Sequence, residues 1–404
     1  MNMKNTKLTA IALGALGCCC ALSAQAQSNV TIYGRLYPEI VNVNVSGATP
    51  KGQAVSTLAA APTSAADVRA TSEDSPNSRL GFRGAEDLGS GLKAIFQLEI
   101  GFGVDTGTNS STSSLFSRDT YVGLASNYGT VKLGSMDTVY KNLGDTMSYL
   151  GISSGNFLST SNILSKPGIG SSSASSFHLR RANSLVYESP EFAGGFQALF
   201  DYSLGEVAND FQRQNVISTG LKYEAGPLYA AVAVERHYDL FGGSLNVPTA
   251  LSNATNPLAH SRDEAIRWTA QYKFSDSTRV EANLANIKYN ETGGTVGKFQ
   301  EYKHRTWSIA GEQKIANVTM IASYGAATAG SCALVGNAAC NTDGLDGKMA
   351  TVGAGYSFSK RTLVFAVYTY MGNGDSAVYN NYNNGKPATG QDIKTFAVGI
   401  AHNF

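Results

Sequence analysis

Many segments of the chain alternate between apolar and polar or small side chains, with a period of two residues. In LKAIFQLEI (92–100) every even position is apolar, whereas Lys93, Gln97 and Glu99 lie at odd positions. LYAAVAVE (228–235) and MATVGAGYSF (349–358) alternate in the same way. Successive side chains of a strand point to opposite faces, so this pattern predicts strands whose two faces meet different surroundings. No segment of comparable strength has the 3.6-residue period of a helix, and we expect an all-β fold.

Short and long connections alternate between these segments. Turns such as EDLGSG (86–91) and EAGP (224–227) join neighbouring strands. The long loops lie at about 46–77, 103–115, 135–182, 205–214, 237–262, 290–304, 325–347 and 372–391. We count 16 strands and eight long loops. An even number of strands, with tight turns at one end and long loops at the other, is typical of an antiparallel transmembrane β-barrel of the outer membrane. In lipid such a sheet must close, because an open edge leaves backbone groups without partners.

Composition supports the barrel over a soluble β-sandwich or lectin, which is the alternative with the same alternation. Sandwiches do not usually reach 16 regular hairpin strands in one domain. Charged residues make up 15% of the chain, against about 25% in ordinary soluble domains. Aromatic residues lie mostly near strand ends, where the interfacial girdles of a barrel need them.

The first 26 residues have the features of a secretory signal peptide. Two lysines precede a short apolar stretch (8–22), and Ala24-Gln25-Ala26 forms an A-x-A cleavage site. We expect a mature chain that begins at Gln27 and forms one barrel domain (27–404). The alternative is a lipoprotein in which Cys18 is lipidated.

Charge and cysteine content limit the partners and cofactors. Removal of Lys4 and Lys7 leaves 29 basic and 30 acidic residues, so the mature net charge is 29 − 30 = −1. A near-neutral chain without blocks of like charge does not attract nucleic acid. Cys332 and Cys340 lie in a polar loop of an exported chain, where a disulfide is expected. Two free thiols are the alternative; a metal site has less support, because no histidine or further cysteine lies nearby. We expect no cofactor.

Several long motifs resemble one family. They are SNVTIYGRL, SRLGFRGAEDLGSGLKAIFQLEIGF, LFSRDTYVGLASNYGTVKLG, NSLVYESPEFAGGFQALFDYS and VGIAHNF. Together they are similar to the trimeric general porins of β-proteobacterial type, and the similarity runs from Gln27 to Phe404. The resemblance implies a homotrimer of 16-stranded barrels in the Gram-negative outer membrane. It also implies that loop 3, here Ser135 to Arg181, folds into the lumen and that small hydrophilic solutes and ions diffuse through.

Two departures from the family pattern concern selectivity rather than the fold. Ser135 follows TVKLG, where the family tends to have an arginine. Loop 1 carries a low-complexity insert, GQAVSTLAAAPTSAADV (52–68).

The candidate pore-lining residues are mainly basic. They are Arg35, Arg79, Arg83, Arg118 and Lys132. We expect the first acids of loop 3, Asp137 and Asp145, to face them across the lumen. Opposed charges with an excess of cations predict a mild preference for anions. The alternative is that these cations pair with Glu99, Asp119 or Glu188 and only stiffen the barrel.

The segment TFAVGIAHNF ends on an aromatic residue within an alternating pattern. We expect this strand to close the barrel against the first strand, VTIYGRLYPEI, with Phe404 in the lipid interface. The ending resembles the C-terminal signal read by the outer-membrane assembly machinery. The remaining expected partners are outer-membrane lipid and lipopolysaccharide.

We expect no enzymatic activity. The five histidines are His178, His237, His260, His304 and His402, and four of them lie in or beside loops. Neither H-E-x-x-H nor a paired-cysteine metal spacing occurs, and GLDGK near residue 344 has too few acids for a calcium loop. The alternatives to a general porin are a substrate-specific channel and a surface adhesin-type barrel.

Overall fold

The computed structural model describes residues 29–75, 77–111, 114–144, 146–147, 149–151, 157–170, 172–206, 213–381 and 385–404. The expected signal peptide and Asp145 lie outside these residues. Strand segments of one antiparallel sheet make up most of the described chain.

The strands of the first half are β1 (Asn29–Leu36), β2 (Glu39–Ser46), β3 (Val68–Asp74), β4 (Arg79–Gly89), β5 (Leu92–Gly101), β6 (Thr120–Ser126), β7 (Gly129–Asp137), β8 (Arg180–Glu188) and β9 (Phe196–Ser203). Those of the second half are β10 (Val216–Ala225), β11 (Leu228–Tyr238), β12 (His260–Ser275), β13 (Thr278–Thr292), β14 (Phe299–Ile315), β15 (Val318–Ala327), β16 (Ser331–Leu334), β17 (Gly347–Ser357), β18 (Thr362–Asn373) and β19 (Asp392–Asn403). The described part of the β7–β8 loop contains α1 (Val139–Gly144), a 3₁₀ turn (Tyr149–Gly151) and α2 (Ser161–Leu164). No helix in the described ranges is long and apolar enough to cross a membrane.

Interrupted strands explain why 19 segments make a 16-stranded barrel. Segments β1 and β2 both pair with β19, and β15 and β16 both pair with β14. Segments β3 and β4 form the next strand, because β3 pairs with β2 and β4 pairs with β1. Three strands are therefore split in two, and 19 − 3 = 16. Pro38 separates β1 from β2, which fits a residue that has no amide hydrogen for the ladder.

The barrel closes through its first and last strands. Asp392–Gly399 of β19 pairs with Glu39–Ser46 of β2, and Asn403 lies opposite Arg35 of β1. The predicted closed barrel of 16 antiparallel strands, and its closure between the two ends of the chain, are confirmed.

The two faces of the barrel strands differ as the alternation predicts. On β19, Phe396, Val398 and Ile400 are 48%, 41% and 42% exposed, whereas Thr395 and Ala397 between them are buried. A sheet with its apolar side chains outside and its small or polar ones inside fits a barrel surrounded by lipid.

Two predicted loop boundaries are wrong. The loop expected at about 46–77 contains β3, Val68–Asp74. The sequence places a long loop at about 290–304, but β13 runs to Thr292 and β14 begins at Phe299, leaving six residues, 293–298. Polar residues of these strand ends resemble a loop when they are read alone. They alternate with the buried rings of Tyr289 and Tyr302, so the segment keeps a strand period beyond the apolar belt.

The described parts of the β7–β8 loop pack against the inner face of the later strands. The Tyr229 hydroxyl donates to the Leu143 carbonyl at 2.7 Å, and the Thr306 hydroxyl donates to the Leu164 carbonyl at 3.0 Å. The Tyr140 amide donates to the Ser218 hydroxyl at 2.9 Å. Inward-facing side chains of β10–β14 are therefore covered by the loop.

Candidate pore wall

The basic residues proposed from the sequence share one part of the inner surface, on and beside β1 and β4–β7. Arg79, Arg118 and Lys132 keep 21%, 20% and 17% of their side chains exposed. Inward-facing Glu235 of β11 and Arg267 of β12 are at most 1% exposed. The accessible part of the inner face thus lies beside these cations, which we call the basic wall.

One buried carboxylate, that of Glu99, contacts three side chains of the basic wall and its surroundings. Arg118 Nε forms an ion pair with Glu99 Oε1, and Arg79 Nε lies 3.9 Å from Glu99 Oε2. The Tyr33 hydroxyl donates to the same Oε2 at 2.9 Å. Glu99 is only 6% exposed, and its single negative charge holds two guanidinium groups in place.

Asp137 does not face the basic wall but belongs to it. It is the last residue of β7 and lies opposite Arg180 in the β7–β8 register. Its Oδ1 lies 2.7 Å from Arg180 Nη2 and 2.9 Å from Lys141 Nζ. The expected placement across the lumen is therefore wrong for Asp137, because the strand continues through it. Asp145, the other expected acid, is not described.

Ion pairs also hold two other cations of the wall. Arg180 Nε lies 2.7 Å from Asp119 Oδ1, and Lys132 Nζ lies 2.7 Å from Glu188 Oε1. The alternative in which cations pair with Glu99, Asp119 and Glu188 is thus present for part of the wall.

Arg35 and Arg83 have no carboxylate partner among the described residues. Arg35 Nε donates to Asn403 Oδ1 at 2.7 Å. The Arg83 guanidinium lies 5.0 Å from the centre of the Tyr33 ring, a cation–π contact. The wall holds Arg35, Arg79, Arg83, Arg118, Lys132, Lys141 and Arg180 against Glu99, Asp119, Asp137 and Glu188. Its formal charge is 7 − 4 = +3.

Two contacts of the wall were missed from the sequence. Lys141 stands four residues after Asp137, a spacing that brings side chains together on a helix and was a usable signal. The Tyr33 contacts depend on cross-strand register: Tyr33 lies opposite Gly81, and a methyl group built on Gly81 would meet the Tyr33 ring at 2.3 Å. Because Gly81 has no side chain, the Tyr33 ring can pack directly over it.

The loop 1 insert is attached to other loops. The Ser56 amide donates to the Ser376 hydroxyl at 2.8 Å, and the Thr57 amide donates to the Asn341 carbonyl at 3.2 Å. Leu58 is completely buried in an apolar cluster that includes Leu345. Low complexity here does not prevent packing over the long-loop end of the barrel.

Cys332 and Cys340 form a disulfide in the structure, with Cα atoms 5.9 Å apart. Cys332 lies in β16, and the bond closes a loop of nine residues at that end of the barrel.

Residues 8–376 match the family model described as Gram-negative porin. The chain belongs to the Gram-negative porin family. Outer membrane porin protein 32 of Delftia acidovorans is 29% identical, over the whole length of both chains. Among solved structures, an anion-selective porin from Comamonas acidovorans has a TM-score of 0.67 at 21% identity, covering 94% of this chain and 100% of its own. The trimer form of OmpT, an outer membrane protein of Vibrio cholerae, has a TM-score of 0.61 at 16% identity, covering 93% and 99%.

Membership of the porin family fixes the location and the general role. The protein is a channel of the Gram-negative outer membrane, and its closed barrel has the lipid-facing outer surface that this location requires. A general diffusion channel fits both the family and the fold.

Proposed function

We propose that this porin is a general diffusion channel with a mild preference for anions, and that it works as a channel rather than as an enzyme. The observation that carries the proposal is the absence of carboxylate partners for Arg35 and Arg83 in the described part of the chain, on the accessible side of the lumen. The anion-selective porin of Comamonas acidovorans, which shares this fold, supports the same direction.

The size of the preference follows from the electrostatics of a wet pore. Two unit charges 4 Å apart interact by about 1 kcal/mol in bulk water and by roughly 4 kcal/mol at an effective dielectric constant of about 20. A wall of formal charge +3 that remains in contact with water attracts anions at the weak end of this range. Weak attraction also lets ions leave, which conduction requires.

A bilayer experiment tests the proposal directly. Purified protein in a planar membrane under a KCl gradient is expected to give a reversal potential on the chloride side. Arg35→Gln combined with Arg83→Gln should move that potential toward zero, whereas Lys394→Gln, an exposed residue of β19, should leave it unchanged. A potential on the potassium side would overturn the anion preference and keep the channel. Absence of conductance steps would overturn the channel itself.

Saturation distinguishes the general porin from a solute-specific channel. Conductance of a general porin should rise in proportion to salt, and no single small solute should block it at low concentration. Block by one solute at micromolar concentration would favour the specific channel.

Assembly and export complete the proposal. We propose a homotrimer, which the trimer form of the OmpT fold relative supports. We also propose that residues 1–26 are removed on export and that Phe404 contributes to recognition by the assembly machinery. Mass spectrometry of the mature chain tests the cleavage, and current steps in groups of three test the trimer.

A further inference from the structure

The outer face of β11–β14 changes from apolar to basic toward the long-loop end, in rows set by the strand register. The first row is Val232, Trp268, Leu284 and Trp307. The second row is Val234, Ile266, Asn286 and Arg305. The third row is Arg236, Glu264, Lys288 and Lys303. The first row contains two tryptophans and no cation. The second row, two residues further along each strand, contains one cation, and the third row, two residues further again, contains three.

These cations form what we call the outer basic patch, which is Arg236, Arg262, Lys288, Lys303 and Arg305. Two acids, Glu264 and Glu301, lie among them, so the formal charge is 5 − 2 = +3. Arg262, Lys288 and Lys303 keep about half of their side chains exposed, at 57%, 47% and 56%.

The two acids hold the cations in position without neutralising them. Lys288 Nζ and Lys303 Nζ lie 2.7 and 3.2 Å from the two oxygens of Glu301. Arg236 Nε and Arg262 Nη2 share one oxygen of Glu264, Oε2, and Arg262 Nη2 lies 3.9 Å from it. Arg305 has no ion pair in the part of the chain that the structure describes, so its guanidinium is available to an anion.

A groove of about 440 Å³ lies within the patch, on the outside of the barrel. Its lining combines the apolar Ile266 with Asn286, Lys288, Lys303, Arg305 and Ser331, and the carboxylate of Glu264 also lines it. An apolar floor beside three cations suits an amphiphile that has acyl chains and an anionic headgroup.

The height of the patch agrees with the edge of the lipid band. Phe274, 66% exposed, lies at the short-turn end of β12, ten residues from Glu264. At a rise of about 3.3 Å per residue and a strand tilt of about 40°, ten residues span about 25 Å, the height of the apolar band of a barrel. The patch therefore lies at headgroup level on the long-loop side, which is extracellular in outer-membrane barrels.

We propose that the outer basic patch binds the phosphate groups of an anionic glycolipid of the outer leaflet, with acyl chains against Trp268 and Trp307. Arginine and lysine recognise phosphate through charge-assisted hydrogen bonds, and the arginine fork matches its geometry. A two-fold contact with a second copy of the chain is a poorer occupant, because it would bring two surfaces of charge +3 together.

The test compares two triple variants with equal changes in charge. Lys288→Gln/Lys303→Gln/Arg305→Gln removes the three lysine and arginine charges that line the groove. Lys93→Gln/Lys273→Gln/Lys360→Gln makes the same charge change toward the short-turn end. The probe is deep-rough lipopolysaccharide added to detergent-solubilised protein, and retained lipid is counted by native mass spectrometry. We expect the patch variant to retain about tenfold less lipid, and the control to match the unmodified protein.

Three further readouts keep the outcomes separate. Dephosphorylated lipopolysaccharide should bind the unmodified protein as weakly as the intact lipid binds the patch variant. Equal retention by the two triple variants, or displacement of the lipid by millimolar inorganic phosphate, would overturn a lipid phosphate site. A change in subunit number in the patch variant would indicate a second copy instead. Bilayer conductance of the patch variant should be unchanged, which shows that it folds and separates this result from the test of the channel.

Discussion

Gly34 and Phe404 exchange a pair of backbone hydrogen bonds where the two ends of the barrel meet. The Gly34 amide donates to the Phe404 carbonyl at 3.1 Å, and the Phe404 amide donates back to the Gly34 carbonyl at 3.1 Å. A methyl group built on Gly34 would lie 2.4 Å from Cζ of the Phe404 ring and 2.6 Å from the Arg79 carbonyl. The ring therefore lies over the glycine, and the small residue and the aromatic residue close the barrel together.

Replacement of Gly34 by alanine should weaken this closure. The new methyl group must displace the Phe404 ring or the β4 backbone, and overpacking of this kind costs typically about 1–3 kcal/mol. We expect a lower unfolding midpoint for Gly34→Ala in denaturant, followed in detergent micelles. Gly311→Ala is the matched control, because its nearest neighbour is 4.0 Å away. Equal midpoints for the two variants would contradict a packed Gly34–Phe404 contact.

Replacement of Glu99 by glutamine should strengthen the anion preference and weaken the barrel. The change leaves Arg79 and Arg118 without their shared carboxylate, so the wall gains one net positive charge. We expect the chloride-to-potassium permeability ratio to rise about twofold, within the range of a screened single charge. The free energy of unfolding should fall by about 1–3 kcal/mol, since the amide NH2 of glutamine takes the place of one carboxylate oxygen and cannot accept from Arg79, Arg118 or Tyr33.

Glu264→Gln is the control for this experiment. It also removes one acid that is paired with two arginines, but Glu264 lies on the outer face of β12. An equal rise in permeability ratio for both variants would show that the field inside the pore does not depend on Glu99.

The sequence predicts strand number, the two faces and closure because each depends on local alternation. The same period places Arg35, Arg79 and Arg83 on the inner face. The ion pairs depend on which side chains of neighbouring strands come within contact distance. The two-residue period does not predict these distances. The Asp137 placement failed for this reason: its partner Arg180 comes from β8, and only the folded register brings the two together, whereas the spacing to its other partner, Lys141, is visible in the sequence.

The disulfide should stabilise the outer loop without affecting permeation. In the chain-entropy model, a disulfide with a sequence separation of 8 lowers the entropy of the unfolded chain and thereby stabilises the folded state by roughly 2–3 kcal/mol. We expect Cys332→Ser/Cys340→Ser to expose residues 335–346 to protease while single-channel conductance stays the same. Reduction of the unmodified protein should give the same cleavage pattern. If the variant resists protease as well as the unmodified protein, the loop is held by its other contacts, such as the Thr57–Asn341 hydrogen bond.

Lys166 should make the anion preference depend on pH. It follows α2 in the β7–β8 loop, where burial lowers its pKa from 10.5 to about 8, and its Nζ donates to Asn162 Oδ1 at 2.8 Å. The ammonium is charged below pH 8 and neutral above it, so the chloride preference should decline as pH rises from 7 to 9. Between the lowered pKa and 10.5 the unfolded chain binds more protons than the folded one, so the free energy of unfolding should rise with pH there. Lys166→Arg keeps the charge and should abolish the decline in reversal potential; a decline of the same size in this variant would assign the titration to another group.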